Sequence, residues 1–315
     1  MKKLLAILLI AAMLMAGCGE AAEPTEDTTV ATTEATEPAT DPAPENNAFA
    51  FTLDNYPKMG GSLACKPLGQ AVTATALGTD RESADGLIVF EGSTTDNYKW
   101  LLDGTFDIVL VYEPSEEAKA LMENSECGVE MTPIGADGLV FIGNKDNPVT
   151  NLTYEDIAGI YSGDITNWQE LGGKDEEIVP FQRNKDSGSQ TLFDKLINLG
   201  DDLMKAPADL MSGSMIGLLE AVADYDGSDG AMGYTVYYYL TNMEAGTLQT
   251  AKIFDYEGVT PSNDTIASGE YKLSCDFYVA IRADAAEDSP ERILYNWICS
   301  DQGKELIIRE NYAAK

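Results

Sequence analysis

The 315-residue chain contains no histidine. That absence excludes Ser–His and Cys–His nucleophilic catalysis, and zinc sites with a histidine ligand. Basic residues are scarce: 20 Lys and Arg stand against 53 Asp and Glu, a net charge of -33. A surface this acidic argues against nucleic acid and anionic lipid headgroups as partners. It opposes an anionic ligand only at long range, because salt screens charges beyond about 8 Å and leaves local donors to decide. Cysteine is sparse as well. Beyond Cys18 there are Cys65, Cys127, Cys275 and Cys299, with no C-x-x-C spacing, so a metal cluster is not expected. In an exported protein these four allow three pairings or free thiols, and sequence does not choose. Also missing is an apolar run of roughly 20 residues, the length that spans a bilayer.

What stands at the N-terminus is shorter. Met1-Lys2-Lys3 precedes thirteen apolar residues, Leu4–Ala16, and then Gly17-Cys18. A basic start, a short apolar core and small residues describe a secretory signal over residues 1–17. The ending Leu14-Met15-Ala16-Gly17-Cys18 resembles the lipobox of bacterial lipoproteins, which implies a lipidated Cys18 holding the chain to a membrane without spanning it. Glu20–Asn47 is built largely of Thr, Ala, Pro, Glu and Asp and has no Lys or Arg. It cannot bury enough apolar surface to offset its ordering entropy, so residues 18–47 read as a disordered tether. Its reach is on the order of 30 Å. Setting aside the tether's eight carboxylates and Lys2 and Lys3 leaves 45 acidic and 18 basic residues, so the acidity belongs to the rest of the chain. That rest, about 265 residues, suffices for two lobes with sizeable cores.

The run Pro180–Phe193, P-F-Q-R-N-K-D-S-G-S-Q-T-L-F, carries the sharpest chemical signal. An apolar segment from Ile178 to Phe181 enters a polar turn, and a helical pattern with Leu192, Phe193, Leu196 and Ile197 leaves it. The first N–H groups of a helix lack internal partners and carry the positive end of its dipole, so they suit an anion. Ser187 and Ser189 add hydroxyls, Gly188 permits close approach, and Arg183 offers a planar fork of donors. The plainer reading is a serine-capped helix with a surface arginine. Two more strand–turn–helix starts occur, at Ser62 after Gly60-Gly61 and at Ser93 after the strand Leu87–Phe90, the latter with Asp96 as a capping box.

Elsewhere, strands are expected at Phe49–Leu53, Asp107–Tyr112, Met131–Ile134, Leu139–Ile142, Ala231–Tyr239, Ile253–Tyr256 and Leu273–Ile281. Helices are expected after Pro67, from Thr153, over Ser212–Asp224 and over Glu291–Arg309. The alternation indicates α/β lobes with largely parallel sheets. In such sheets ligands sit beyond the carboxyl ends of strands, so the three serine-marked helix starts are expected to face one cleft.

Several runs together resemble the substrate-binding proteins of ABC-type phosphate transporters, especially lipoprotein forms of Gram-positive bacteria. They are Y-P-K-M-G-G-S-L-A-C-K-P-L-G (Tyr56–Gly69), L-T-Y-E-D-I-A-G-I-Y-S-G-D-I-T-N-W-Q-E-L-G-G (Leu152–Gly173), R-N-K-D-S-G-S-Q-T-L-F (Arg183–Phe193), G-A-M-G-Y-T-V-Y-Y-Y (Gly230–Tyr239) and G-V-T-P-S-N-D-T-I-A-S-G-E-Y-K-L (Gly258–Leu273). The runs keep the family's order and cover essentially everything after the tether.

The resemblance implies a two-lobed, type II periplasmic-binding-protein-like α/β fold with two crossover strands. Lobe I would be 48–133 plus 253–315 and lobe II 134–252, with the ligand between them. It implies a monomer that captures inorganic phosphate outside the membrane and delivers it to an ABC permease, with no cofactor and no enzymatic step. A serine nucleophile at Ser187 or Ser189 would have no histidine to activate it. By position the anion grip is Arg183, Ser187, Gly188 and Ser189, with Ser93 from lobe I. The loop at Ser62 departs from the pattern: where relatives read D-G-S-T-A-T, this chain has Gly60-Gly61-Ser62-Leu63-Ala64-Cys65, replacing two hydroxyls by an aliphatic group and a thiol. Ser62 remains as a donor. Some relatives carry an aspartate where Tyr112 stands, and Glu113, one residue on, is the expected acceptor for a protonated oxygen of phosphate. Another oxyanion, or sensing rather than transport, is the alternative that the altered loop raises.

Overall fold

The computed structural model describes residues 51–225 and 229–314. The signal, Cys18 and the tether lie outside the described residues. In chain order, β1 (Met59–Gly61) passes through Ser62 and a 3-10 turn (Leu63–Cys65) into α1 (Lys66–Leu77). Then come α2 (Arg81–Asp85), β2 (Ile88–Val89), α3 (Thr94–Leu102), β3 (Ile108–Tyr112) and α4 (Glu116–Glu123). The long β4 (Val129–Asn144) is followed by β5 (Asn151–Leu152), α5 (Tyr154–Ser162), β6 (Val179–Pro180), β7 (Gln182–Arg183) and α6 (Gly188–Leu196). Next are β8 (Met211–Ser212), α7 (Met215–Ala223), β9 (Ala231–Val236), β10 (Ala251–Ile253) and β11 (Asp255–Tyr256). The chain closes with α8 (Asn263–Ala267), β12 (Ser274–Arg282), α9 (Pro290–Ile298) and α10 (Asp301–Arg309).

Local chemistry sets the helix ends. Pro67 sits in the first turn of α1, where its missing N–H costs nothing, and Gly78 ends the helix in the left-handed region. Reciprocal capping boxes start α3 (Ser93 with Asp96) and α5 (Thr153 with Asp156).

The main sheet runs β2-β1-β3-β12-β4-β9-β6, with β10 also on β4. β1 is parallel to β2 and β3, and β6 is parallel to β9. β12 is antiparallel to β3 and β4, and β4 is antiparallel to β9 and β10. The sheet is thus mixed rather than largely parallel, because the strand that leaves one half lies beside the strand that returns to it. All five residues of β3 are buried, as befits a strand covered on both faces.

Several expected strands differ, among them Ile253–Tyr256, which is divided between β10 and β11. Met131–Ile134 and Leu139–Ile142 are one continuous 16-residue strand, β4. Gly135 and Gly138 interrupt its apolar pattern, but not for a turn: a Cβ on Gly135 would lie 2.4 Å from the Phe277 ring. Register against β12 slips between Phe277 and Tyr278, opposite Pro133 and Gly135, where Pro133 has no N–H to give. The described part of Phe49–Leu53 is not a strand; the Thr52 carbonyl instead accepts from the amides of Asn55 and Tyr56. Ala231–Tyr239 stops as a strand at Val236, and Tyr239–Met243 forms a π-helical turn.

β4 changes partner along its length: residues through Gly138 pair with β12, and Leu139 to Gly143 pair with β9. β11 lies beyond residue 252 yet pairs with β5. Along β4 the hydrogen-bond partner thus changes at Gly138/Leu139. Cys65, Cys127, Cys275 and Cys299 are all free thiols.

Candidate anion-binding site

Strand ends converge on a cavity of about 450 Å³. β1 delivers Ser62, β2 leads to Ser93 and Thr94, and β3 ends at Tyr112, which lines the wall. From the other half, β7 ends at Arg183 ahead of Ser187, Gly188 and Ser189, and β8 leads to Gly213 and Ser214. Four helical starts thus border one space: the turn into α1, and the N-termini of α3, α6 and α7.

Arg183 is the only cation lining the cavity among the described residues, and it is 6% exposed. Its backbone N–H donates to the Tyr234 hydroxyl at 3.0 Å and its Nε to the Ser212 carbonyl at 3.2 Å. Nη1 donates to Ser189 Oγ at 3.2 Å. These contacts fix the fork but bring no negative charge, and among the described residues no carboxylate pairs with it. Burial pulls its proton affinity down, as expected for a cation removed from water. A guanidinium stays charged regardless, so the site holds a buried positive charge that lacks a counter-ion.

The α6 start supplies the remaining donors. Ser187 caps the helix, its Oγ accepting from Gln190 N–H at 3.2 Å. The following N–H groups, of Gly188 and Ser189, are first-turn donors without helical partners. Gly188 is required by closeness: a Cβ there would lie 2.7 Å from Thr94 Oγ1 across the cavity.

On the opposite wall Ser62 is buried, and its Oγ has no hydrogen-bond partner. A buried, unpaired hydroxyl costs stability unless something in the cavity bonds it. Replacing Ser62 by alanine is therefore expected to weaken an oxyanion ligand three- to tenfold. The unliganded protein should melt within about 2 °C of the wild type, since no internal bond is lost. Paired titration calorimetry and thermal melts check this; a large drop in melting temperature with unaltered affinity would contradict it.

Ser93 lines the cavity, but its hydroxyl is engaged: Oγ donates to Asp96 Oδ2 at 2.7 Å and accepts from Asp96 N–H at 3.0 Å. Its expected role as a ligand donor thus competes with capping. Glu113 is not brought to the site. Its carboxylate pairs with Lys195 of α6 and does not line the cavity. The physical reason is a one-residue step: Tyr112 ends a strand pointing inward, and successive side chains on extended backbone alternate faces.

Polar lining residues outside the expected set include Thr94, Asp96, Tyr112, Asn184 and Ser214. Ser214 carried the same signal as Ser187, a serine opening a helix, and its Oγ accepts from Gly217 N–H at 3.0 Å. Behind Tyr112 lies Asp137 on β4, 2% exposed, accepting the Tyr112 hydroxyl at 2.6 Å, Gly138 N–H at 2.8 Å and Tyr238 N–H at 3.0 Å. Burial pushes the Asp137 carboxyl up to about 6, although these hydrogen bonds pull the other way.

Residues 19–302 match the PBP superfamily domain, and the chain belongs to that superfamily of two-lobed α/β binding proteins. It is a solute-binding protein, not an enzyme. Among curated relatives, the Bacillus subtilis phosphate-binding protein PstS is 27% identical over 278 residues, covering 86% of this chain and 80% of its own. The Borreliella burgdorferi phosphate-binding protein PstS is 24% identical over 195 residues, covering 60% of this chain and 67% of its own. Among solved structures, an ABC-type phosphate transport receptor from Vibrio cholerae aligns with TM-score 0.61 and 25% identity over 82% of this chain and 99% of that one. A putative phosphate ABC transporter substrate-binding protein with bound phosphate, from Clostridium perfringens, aligns with TM-score 0.66 and 22% identity over 83% of this chain and all of that one.

Proposed function

We infer that this protein captures inorganic phosphate outside the cytoplasm, between its two halves, and delivers it to an ABC permease while held to the membrane by lipid on Cys18. The observation that carries the ligand is Arg183: a buried cation with no carboxylate partner among the described residues, ringed by Ser187, Gly188, Ser189 and Ser62. A doubly charged oxyanion would satisfy it, with Arg183 giving charge and two N–H bonds and the helix start and serines giving the rest. The phosphate-binding names of the relatives support phosphate within that class. The Ala-Gly-Cys ending of the signal and the acidic tether support the anchor.

The ring of helix starts comes from both halves, which favours a clamp that closes on the ligand. Titration calorimetry with phosphate, sulfate, molybdate and arsenate tests the reading. Phosphate is expected to bind most tightly among the natural anions, with arsenate, its protonated isostere, close behind. Leu63 on the cavity wall, where the related loops carry a hydroxyl, favours a second reading, a different oxyanion or a sensing role. Preference for sulfate or molybdate in the same panel would select it.

A further inference from the structure

We propose that the cavity also takes a phosphonate or phosphate monoester with a short arm ending in a primary amine. Arg183 holds the anionic head, and the arm lies along Leu63, Phe90 and Met215 toward Glu91 and Asp96. This rests on the oxyanion grip proposed above and widens its ligand class from a bare anion to a zwitterion.

A phosphate ion is one phosphorus and four oxygens, whereas a cavity of about 450 Å³ falls in the range that holds small organic ligands. The volume is not a gap waiting for the halves to meet. A Cβ on Gly188 would lie 2.7 Å from Thr94 Oγ1, and the Glu113 carboxylate is paired with Lys195 of α6. The two halves therefore already touch at two places, and the space is what they enclose.

Part of that space is apolar. Leu63, Phe90 and Met215 line it, and none of them donates a hydrogen bond. A bare dianion against these side chains would give up water and receive nothing in return. Methylene groups gain there, each one buried being worth about fourfold in affinity. Leu63 stands where the related loops carry a hydroxyl, so this wall has exchanged a partner for oxygen for a partner for carbon.

Charge points the same way. Arg183 is the only cation lining the cavity among the described residues, while Glu91 and Asp96 line it as carboxylates. The lining as a whole is thus negative, which opposes an inorganic dianion and suits a ligand with one charge of each sign. Asp96 Oδ2 takes the N–H and the hydroxyl of Ser93, which leaves Oδ1 for an ammonium group. Glu91 follows Phe90 directly and is exposed, so its side chain can turn toward the end of the arm.

Titration calorimetry of the full chain with four probes tests this: phosphate, propylphosphonate, aminoethylphosphonate (an amine in place of the terminal methyl) and phosphonopropionate. Wild type is expected to bind propylphosphonate within about tenfold of phosphate. Aminoethylphosphonate should bind at least about threefold tighter than propylphosphonate, and phosphonopropionate more weakly than either. Glu91→Gln should lose at least about half of the amine's advantage while phosphate affinity stays within about twofold. Leu63→Thr should weaken propylphosphonate relative to phosphate. Propylphosphonate more than tenfold weaker than phosphate overturns the proposal, as does an amine that brings no advantage. So does an advantage unmoved by Glu91→Gln, or a propylphosphonate-to-phosphate ratio unmoved by Leu63→Thr. Wild type that binds none of the four defeats the oxyanion grip and this inference with it; wild type that binds phosphate but no probe with an arm defeats only the inference.

Discussion

Replacing Arg183 by alanine is expected to weaken phosphate binding at least tenfold. Losing a charge-assisted donor costs about 1.5–3 kcal/mol, and more when the partner ion is left buried and unpaired. Both conditions hold here, because Arg183 is the only cation on the cavity wall among the described residues. Arg183→Lys separates charge from shape. A lysine keeps the positive charge but loses the fork that bonds Ser189 Oγ and the Ser212 carbonyl, so it should recover only part of the affinity. Calorimetry on the three proteins checks both steps, and a loss below threefold in Arg183→Ala would remove Arg183 from the site. Stability should move the other way: an unliganded protein relieved of an uncompensated buried cation is expected to unfold no more easily than wild type.

The second large effect concerns Asp137 and pH. Its carboxyl ionises at about 6 in the folded protein, against an ordinary value of 3.8. Folding therefore raises its proton affinity. The stability this residue contributes is fully present below about pH 4 and is lost as pH rises to about 6. The shift corresponds to about 3 kcal/mol. Asp137→Asn does not titrate, so the stability difference between variant and wild type should move by about 2 kcal/mol in favour of asparagine between pH 4 and pH 7. Urea denaturation of both proteins at the two pH values measures the difference and cancels the contributions of the other carboxylates. A difference independent of pH would mean that Asp137 is solvated in a way its burial does not suggest.

Much of the cavity wall is legible in the sequence because helix capping is local chemistry. A serine, a small residue and a helical pattern within a few positions are enough to mark Ser62, Ser93 and Ser187, and all three line one cavity. Arg183 was legible for the same reason, lying four residues before the cap. What escaped depends on contacts between distant segments. Tyr112 and Asp137 are 25 residues apart and meet across β12, in a register that Pro133 and its bulge help to set. Nothing near either residue announces the other. Glu113 follows Tyr112 by a single residue, which on extended backbone is enough to turn a carboxylate from the cavity to Lys195. β4 was divided in two because Gly135 and Gly138 look like a break, and only the ring of Phe277 explains why a small residue is needed at Gly135.

β4 itself has a consequence for how the molecule is assembled. The strand belongs to both halves of the sheet, pairing with β12 along one stretch and with β9 and β10 along the next. Were the halves made as separate polypeptides, each would need its own copy of β4 or would expose a row of unpaired N–H and C=O groups to any passing strand. Neither wall of the cavity is therefore an autonomous folding unit. The halves should be made, unfolded and degraded together, and the cavity forms only when the chain from Met59 to the end of β12 has been completed.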